Sequence, residues 1–368
     1  MKANNLLLSS LFLLPLCGSM SLFRQGPAKS SSEEIQLLQD RNLPLAFVLV
    51  RVNGMQKKFL LDTGAPTLLF ANSRAELRHL AVSDSTKVYD AAGQASTIYR
   101  VKEATSLELG TLAVRFNELK AVLLPPGQMA DLQLAGILGR DFIDKFDWSF
   151  DFRQNVAHIY KPGKAPKPTP AFCPVPTFRN KEGDFFIRLT TSANPADTVQ
   201  IDTGFTGALL LPKARALTAP LLQRVGLAAT VAVSSKTDTT LLWTVPWVQF
   251  GNLRLEQAPV AASAGRSRRN LLGMRFFREF EVIYQAKTHT FWLHPYANSY
   301  QDSTRRTALK AVGQRRYVVQ ALTLPAPVGV QVGDTIRLGP GHVMPESALT
   351  TLLPWLPTRV SCVSLGKP

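Results

Sequence analysis

Two aspartates in this chain stand where a carboxylate is costly. Phe59-Leu60-Leu61 runs into Asp62-Thr63-Gly64-Ala65, and Val199-Gln200-Ile201 runs into Asp202-Thr203-Gly204-Phe205. An apolar strand that ends in Asp delivers an ionisable group into a desolvated turn, which is unfavourable unless the group has chemistry to perform. Two carboxylates held about 3 Å apart cannot both ionise, so they share one proton and supply a base and an acid together. That equipment can activate a water for attack on an amide carbonyl and protonate the leaving nitrogen. It needs no covalent intermediate, metal or cofactor. Gly64 and Gly204 would let the turn amides approach the carboxylates.

A single Asp-Thr-Gly is a weak signal, because such triplets also make ordinary turns. The weight comes from a second motif downstream of each copy. After Asp62 come Gly136-Ile137-Leu138-Gly139-Arg140-Asp141-Phe142-Ile143 and then Phe146-Asp147-Trp148-Ser149-Phe150-Asp151. After Asp202 come Asn270-Leu271-Leu272-Gly273-Met274-Arg275-Phe276-Phe277 and then Phe280-Glu281-Val282-Ile283-Tyr284. The motif glycines, Gly139 and Gly273, stand at similar separations from their aspartates. This is an internal duplication of roughly 135 residues, too long for a solenoid repeat and suited to two similar lobes.

These paired motifs resemble the retropepsin-like and pepsin-like aspartic peptidases, over roughly residues 43–296. The run from Asp202 to Pro212 is similar to single-lobe bacterial and archaeal members. The resemblance implies a mainly β fold, with two similar retropepsin-like (acid protease) β-barrel lobes in a bilobal arrangement. It implies Asp62 and Asp202 as the catalytic pair, and Thr63 and Thr203 hydrogen-bonding across the lobes. A flap that closes over substrate is expected near residues 87–94, with Tyr89 and Gly93 as candidates; an ordinary surface hairpin is the other reading. The implied activity is that of an aspartic endopeptidase acting on a peptide or protein substrate. Two other classes stay open: a catalytically silent envelope protein that binds peptides with the same fold, and a structural envelope lipoprotein.

The elements that must position the pair can be read locally. Lobe 1 spans 43–161. Ala46–Val52 and Lys58–Leu61 read as strands joined by Asn53-Gly54, a strong hairpin signal. Ser73–Leu80 reads as a short helix, and Asp141–Phe146 fits one or two helical turns. Gly139 is expected to allow close approach to the strand bearing Asp62. Asp141, Asp144, Asp147 and Asp151 read as helix-start and strand residues in preference to metal ligands. Residues 162–171, with four prolines and two lysines, read as an extended linker. Lobe 2 spans 172–296, with a helix expected across Lys213–Val225 and strands over Thr230–Ser235 and Thr239–Val245. After a second linker, 297–316, residues 317–368 resemble part of a PDZ domain, with Gly329–Leu338 as its signature and Ser347–Leu353 as its helix.

Composition limits the remaining possibilities. The chain has 368 residues, enough for two or three domains, and its 45% hydrophobic share is that of a globular protein. Net charge is +16. The basic residues are spread along the chain with no nucleic-acid motif, which favours a basic surface near an anionic membrane over nucleic-acid binding. Residues 1–18 read as a signal peptide: Lys2, then an eleven-residue apolar run, Leu6–Leu16, too short to span a bilayer. Leu14–Gly18 resembles a bacterial lipoprotein processing site with Cys17 as the candidate lipidated residue, although Leu16 departs from that pattern. The expected location is the bacterial envelope, periplasmic or lipid-anchored. Residues 19–42 read as a polar tether, within which Ser30–Arg41 could serve as a pro-segment. Cys173 and Cys362 remain as a candidate disulfide that sequence alone leaves open. The five histidines lack metal spacing, and His158 and His289 read as strand residues at equivalent repeat positions. Two copies in one chain favour a monomer, with a homodimer as the alternative.

Overall fold

The structure is a computed structural model. It describes residues 32–40, 43–89, 95–124, 132–192, 197–212, 223–231, 237–263, 269–296, 307–313, 316–323, 335–337 and 359–363. Strands dominate. Lobe 1 carries β1 (Ser32–Gln36), β2 (Leu38–Gln39), β3 (Ala46–Val52), β4 (Met55–Asp62), β5 (Leu68–Ala71), α1 (Arg74–His79), β6 (Val82–Tyr89), β7 (Ala95–Val101), β8 (Thr105–Leu109), β9 (Leu112–Phe116), β10 (Leu119–Leu123), β11 (Gly136–Gly139), α2 (Arg140–Ile143), β12 (Asp147–Asp151) and β13 (Val156–Tyr160). Lobe 2 carries β14 (Cys173–Arg179), β15 (Phe185–Thr191), β16 (Asp197–Asp202), β17 (Leu209–Pro212), β18 (Gln223–Val231), β19 (Thr237–Phe250), β20 (Leu253–Ser263), β21 (Leu271–Gly273), α3 (Met274–Phe277), β22 (Phe280–Gln285) and β23 (Thr290–Pro295). Four further strands come after: β24 (Thr307–Gly313), β25 (Arg316–Thr323), β26 (Thr335–Arg337) and β27 (Arg359–Cys362).

The duplication is visible in the strand pairing. In lobe 1, β11 runs parallel to β4 and antiparallel to β5, placing Gly139 opposite Asp62. In lobe 2, β21 runs parallel to β16 and antiparallel to β17, placing Gly273 opposite Asp202. Each aspartate therefore leaves its sheet at the same point of the same three-stranded unit. The hairpin before Asp62 is set by Asn53 (φ 47°) and Gly54 (φ 86°), the two positive-φ positions that a two-residue hairpin turn demands. Lobe 1 closes as a ten-stranded sheet around Phe47, Phe59, Leu107 and Leu138, all at most 2% exposed.

The two halves share a third sheet. β12 pairs antiparallel with β22, the corresponding strand of the other copy, with Trp148 opposite Tyr284 and Phe150 opposite Val282. β13 and β23 flank that pair. β1 adds to β13, and β14 adds to β23. The core runs through this sheet without a break, and Trp148, Phe276, Phe280 and Tyr284 are completely buried.

Several expectations change on contact with the structure. The stretch read as a polar tether ends earlier, because Ser32–Gln36 is a strand of the shared sheet and Ile35 and Leu37 are buried. Alternation in a short polar segment is too weak a signal to be heard over its serines and glutamates. Gly139 does not clear the Asp62 strand, which it simply pairs with. A β-carbon there would instead meet the turn after that strand, 2.3 Å from Pro66 C and Thr67 N. The linker does not begin as an extended rod: Lys164 N bonds Lys161 O, and the amides of 163–165 fold onto Asp147. Of the helix expected over Lys213–Val225, Gln223–Val225 is strand and the rest lies outside the described residues. His289 lies in the turn before β23 with φ 48°, whereas His158 is on a strand. Of the PDZ-like segment, β25 pairs with β18, β26 with β25 and β27 with β20. Its expected helix, 347–353, lies outside the described residues, as do residues 1–31 with Cys17. Cys173 and Cys362 form a disulfide with α-carbons 5.5 Å apart, joining β14 to β27.

Candidate active site

The two Asp-Thr-Gly turns meet at the interface between the copies. Their threonines interlock. Thr63 N donates to Thr203 Oγ1 (2.9 Å), and Thr63 Oγ1 donates to Ile201 O (3.1 Å). Thr203 N donates to Thr63 Oγ1 (3.1 Å), and Thr203 Oγ1 donates to Leu61 O (2.9 Å). These four bonds have twofold symmetry, and both residues are buried. A hydroxyl is required because each threonine accepts from one backbone amide and donates to one carbonyl, which valine cannot do.

That lock brings the carboxyls of Asp62 and Asp202 into hydrogen-bonding contact with each other. Asp62 Oδ1 also accepts from Gly64 N (2.7 Å) and Gly204 N (3.2 Å). The glycines are needed for a reason the sequence did not disclose. A β-carbon on Gly64 would sit 2.5 Å from Asp202 Cγ, and one on Gly204 would sit 2.4 Å from Asp62 Oδ2. Each glycine thus makes room for the other lobe's carboxylate.

Burial raises both carboxyls above the ordinary range. For Asp62, the amide of Gly64, the bond to Asp202, the amide of Gly204 and the charge of Arg140 pull the other way. Asp202 is pushed well up, first by burial and then by the negative charge of Asp62. Beneath the threonines the surroundings are apolar, with Leu61, Ile143, Phe150, Met274 and Tyr284 around a small internal hollow. A pair in such a place can hold one proton between two oxygens.

A second layer was not foreseen from the sequence. Arg140 sits one residue past Gly139. Its Nη1 donates to Gly64 O (3.5 Å) and contacts Asp184 Oδ1 (3.0 Å), while Nε and Nη2 donate to Glu182 O (3.2 and 2.9 Å). Gln200 Nε2 donates to the same Gly64 carbonyl (3.4 Å) and accepts at Oε1 from Arg269 Nη1 (3.1 Å). A signal was available: Gln200 is a polar interruption in an apolar strand, and Arg140 answers to Met274 across the duplication.

The remaining candidate residues fall elsewhere. β6 and β7 form the expected hairpin, pairing Tyr89 with Ala95. Gly93 and the side chain of Tyr89 lie outside the described residues. The four aspartates after Gly139 serve the backbone and the lobe interface. Asp141 accepts from Thr67 N and Oγ1, Asp144 pairs with Tyr284 and Arg179, and Asp151 accepts from Arg153 N, Gln154 N and Tyr296 Oη. Asp147 accepts from the amides of 163–165 and from Ala286 N.

Comparisons with known proteins cover part of this arrangement. A search of curated proteins finds no match. Among solved structures, basic 7S globulin from soybean is 12% identical, with 72% of this chain and 95% of that one covered and a TM-score of 0.43. The family model for aspartyl proteases matches residues 48–142, a segment that holds Asp62-Thr63-Gly64 and the Gly136–Gly139 strand. Over that segment the chain is similar to the aspartyl proteases.

Proposed function

We propose that this protein is an aspartic endopeptidase that hydrolyses peptide bonds with a water activated by Asp62 and Asp202. The observation that carries the reading is the contact between two carboxyls, one from each half, fixed by four reciprocal threonine bonds. The pair shares one proton. The ionised partner takes a proton from the water as its oxygen attacks the substrate carbonyl carbon. The protonated partner donates a hydrogen bond to the carbonyl oxygen and stabilises the tetrahedral oxyanion. Collapse of that intermediate breaks the C–N bond, and the proton taken from water passes to the departing nitrogen. One chain supplies both acids, so a monomer suffices. The Cys173–Cys362 bond supports a location in an oxidising compartment, in keeping with export to a bacterial envelope.

The test is cleavage of a denatured protein mixture from acidic to neutral pH, with and without a pepstatin-type inhibitor. Inhibitor-sensitive cleavage is expected from the wild type. It should be lost in both Asp62→Asn and Asp202→Asn. Cleavage that survives in either variant removes that residue from the mechanism. No cleavage at any pH rejects the peptidase reading.

A further inference from the structure

The duplication makes the two aspartates equivalent by backbone, but their surroundings are not equivalent. Arg140 N donates to Ala65 O (2.9 Å), and Met274 N donates to Phe205 O (2.8 Å). The same bond in both halves identifies Arg140 and Met274 as counterparts. One is a guanidinium, and the other is a fully buried thioether. The same holds two residues before each aspartate, where Leu60 in lobe 1 answers to Gln200 in lobe 2. Both departures act at one place, the Gly64 carbonyl, which receives Arg140 and Gln200 together.

Resting on the peptidase reading above, we propose that Arg140 is a positioning residue that makes the pair unequal, keeping the negative charge on Asp62 and the shared proton on Asp202. The geometry favours this in two ways. Arg140 is held in a fixed orientation by its fork of bonds to Asp184 and Glu182 O, with a side chain only 12% exposed, so solvent screens it weakly. It also fixes the turn whose amide, Gly64 N, donates to Asp62. Among the described residues the charged groups at the pair are few. Asp62 faces Asp202 and Arg140, and Asp202 faces Asp62. Around Arg140 stand Asp184 and, beyond it, Arg269, whose Nη1 is 3.5 Å from Asp184 Oδ2. Two guanidinium groups thus share one carboxylate. Arg179 approaches through Gly183 O, but its own charge is engaged with Asp144. Lobe 2 offers Asp202 no counterpart at position 274. The direction of the titration shifts, with Asp202 raised the further, agrees with this bias.

The experiment is a pH titration of the purified protein carrying ¹³C at the aspartate carboxyl carbon. Asp62→Asn and Asp202→Asn assign the two resonances. Arg140→Met copies lobe 2. Arg140→Gln removes the charge but keeps a donor for Gly64 O, which guards against loss of the fold. Arg140→Lys keeps the charge. In the wild type, Asp62 is expected to carry the lower-pH step. In Arg140→Met and Arg140→Gln that step should rise by about one pH unit, as expected for loss of one weakly screened charge. The acidic limb of kcat/KM should move with it, whereas Arg140→Lys should leave both in place. The inference is overturned if the neutral variants titrate like the wild type, or if Arg140→Lys shifts as far as Arg140→Met. Absence of turnover in the wild type would reject the peptidase reading alone, because the carboxyl spectra still decide the role of Arg140.

Discussion

Asp147 offers the most direct test of how the halves are joined. It is 1% exposed, on the strand that pairs with the other copy, and it accepts four backbone donors. Oδ2 takes Gly163 N (2.7 Å), Lys164 N (3.1 Å) and Ala165 N (3.2 Å), and Oδ1 takes Ala286 N (2.9 Å). One side chain therefore ties lobe 1 to the first turn of the linker and to the β22–β23 turn of lobe 2. In Asp147→Ala the buried amide of Ala286 loses its acceptor, at a cost of about 1–3 kcal/mol. The linker amides belong to more exposed residues and can turn to water. Each loses only the net worth of a charge-assisted bond, about 1 kcal/mol after allowing for non-additivity. The total is about 4–6 kcal/mol, which for a chain of this size lowers Tm by roughly 5–8 °C. Thermal unfolding measures the stability, and limited trypsin digestion measures release of the linker at Lys164. A variant that melts within about 2 °C of the wild type, with no faster cut in the linker, would refute the idea that these bonds hold the junction.

Four further outcomes are expected. Gly204→Ala puts a methyl group 2.4 Å from Asp62 Oδ2 and should cut kcat by about 100-fold while circular dichroism stays native; full activity would contradict the close approach. Thr63→Val strands Thr203 N and Ile201 O in a buried interface and should cost about 2–4 kcal/mol in chemical denaturation, with Thr63→Ser close to the wild type; equal loss in both would point to packing instead. Burial lifts the Glu279 carboxyl to about 7, so its contribution to stability is complete below the unfolded value of 4.5 and is lost as pH rises toward 7. Glu279→Gln should therefore flatten the fall in stability across that window by up to about 3 kcal/mol, and an unchanged slope would clear this residue. Cys173→Ala opens a loop of 189 residues and should cost up to about 5 kcal/mol, reproduced by dithiothreitol on the wild type; insensitivity of the melt to reductant would show that the bond is dispensable.

How much of this was legible in the sequence depends on whether the information was local. The Asn53-Gly54 hairpin, the helix capped by Ser73 and the strands before each aspartate were readable, because turn chemistry, a capping hydroxyl and apolar runs act within a few residues. The duplication was readable because two motifs recur in order. The role of Gly64 was not, since its reason is a carboxylate supplied by the other half of the chain. The place of Ser32–Gln36 was hidden too, because a strand that among the described residues pairs with β13 alone needs little apolar character of its own. The Arg140–Asp184–Arg269–Gln200 cluster was the hardest to see. Its members come from both lobes, and apart from Gln200, which interrupts an apolar strand, each looks like an ordinary surface polar group until the lobes are put together.

The pairing of β12 with β22 has a consequence for how such a chain can change over time. Corresponding strands of the two copies lie against each other, as they would if two separate one-lobe polypeptides had associated about a rotation axis. In such an association every substitution appears twice, so a charge placed beside one acid is placed beside both. Fusion into a single gene product removes that constraint. Each half can then acquire its own neighbours while the shared seam keeps the two in register.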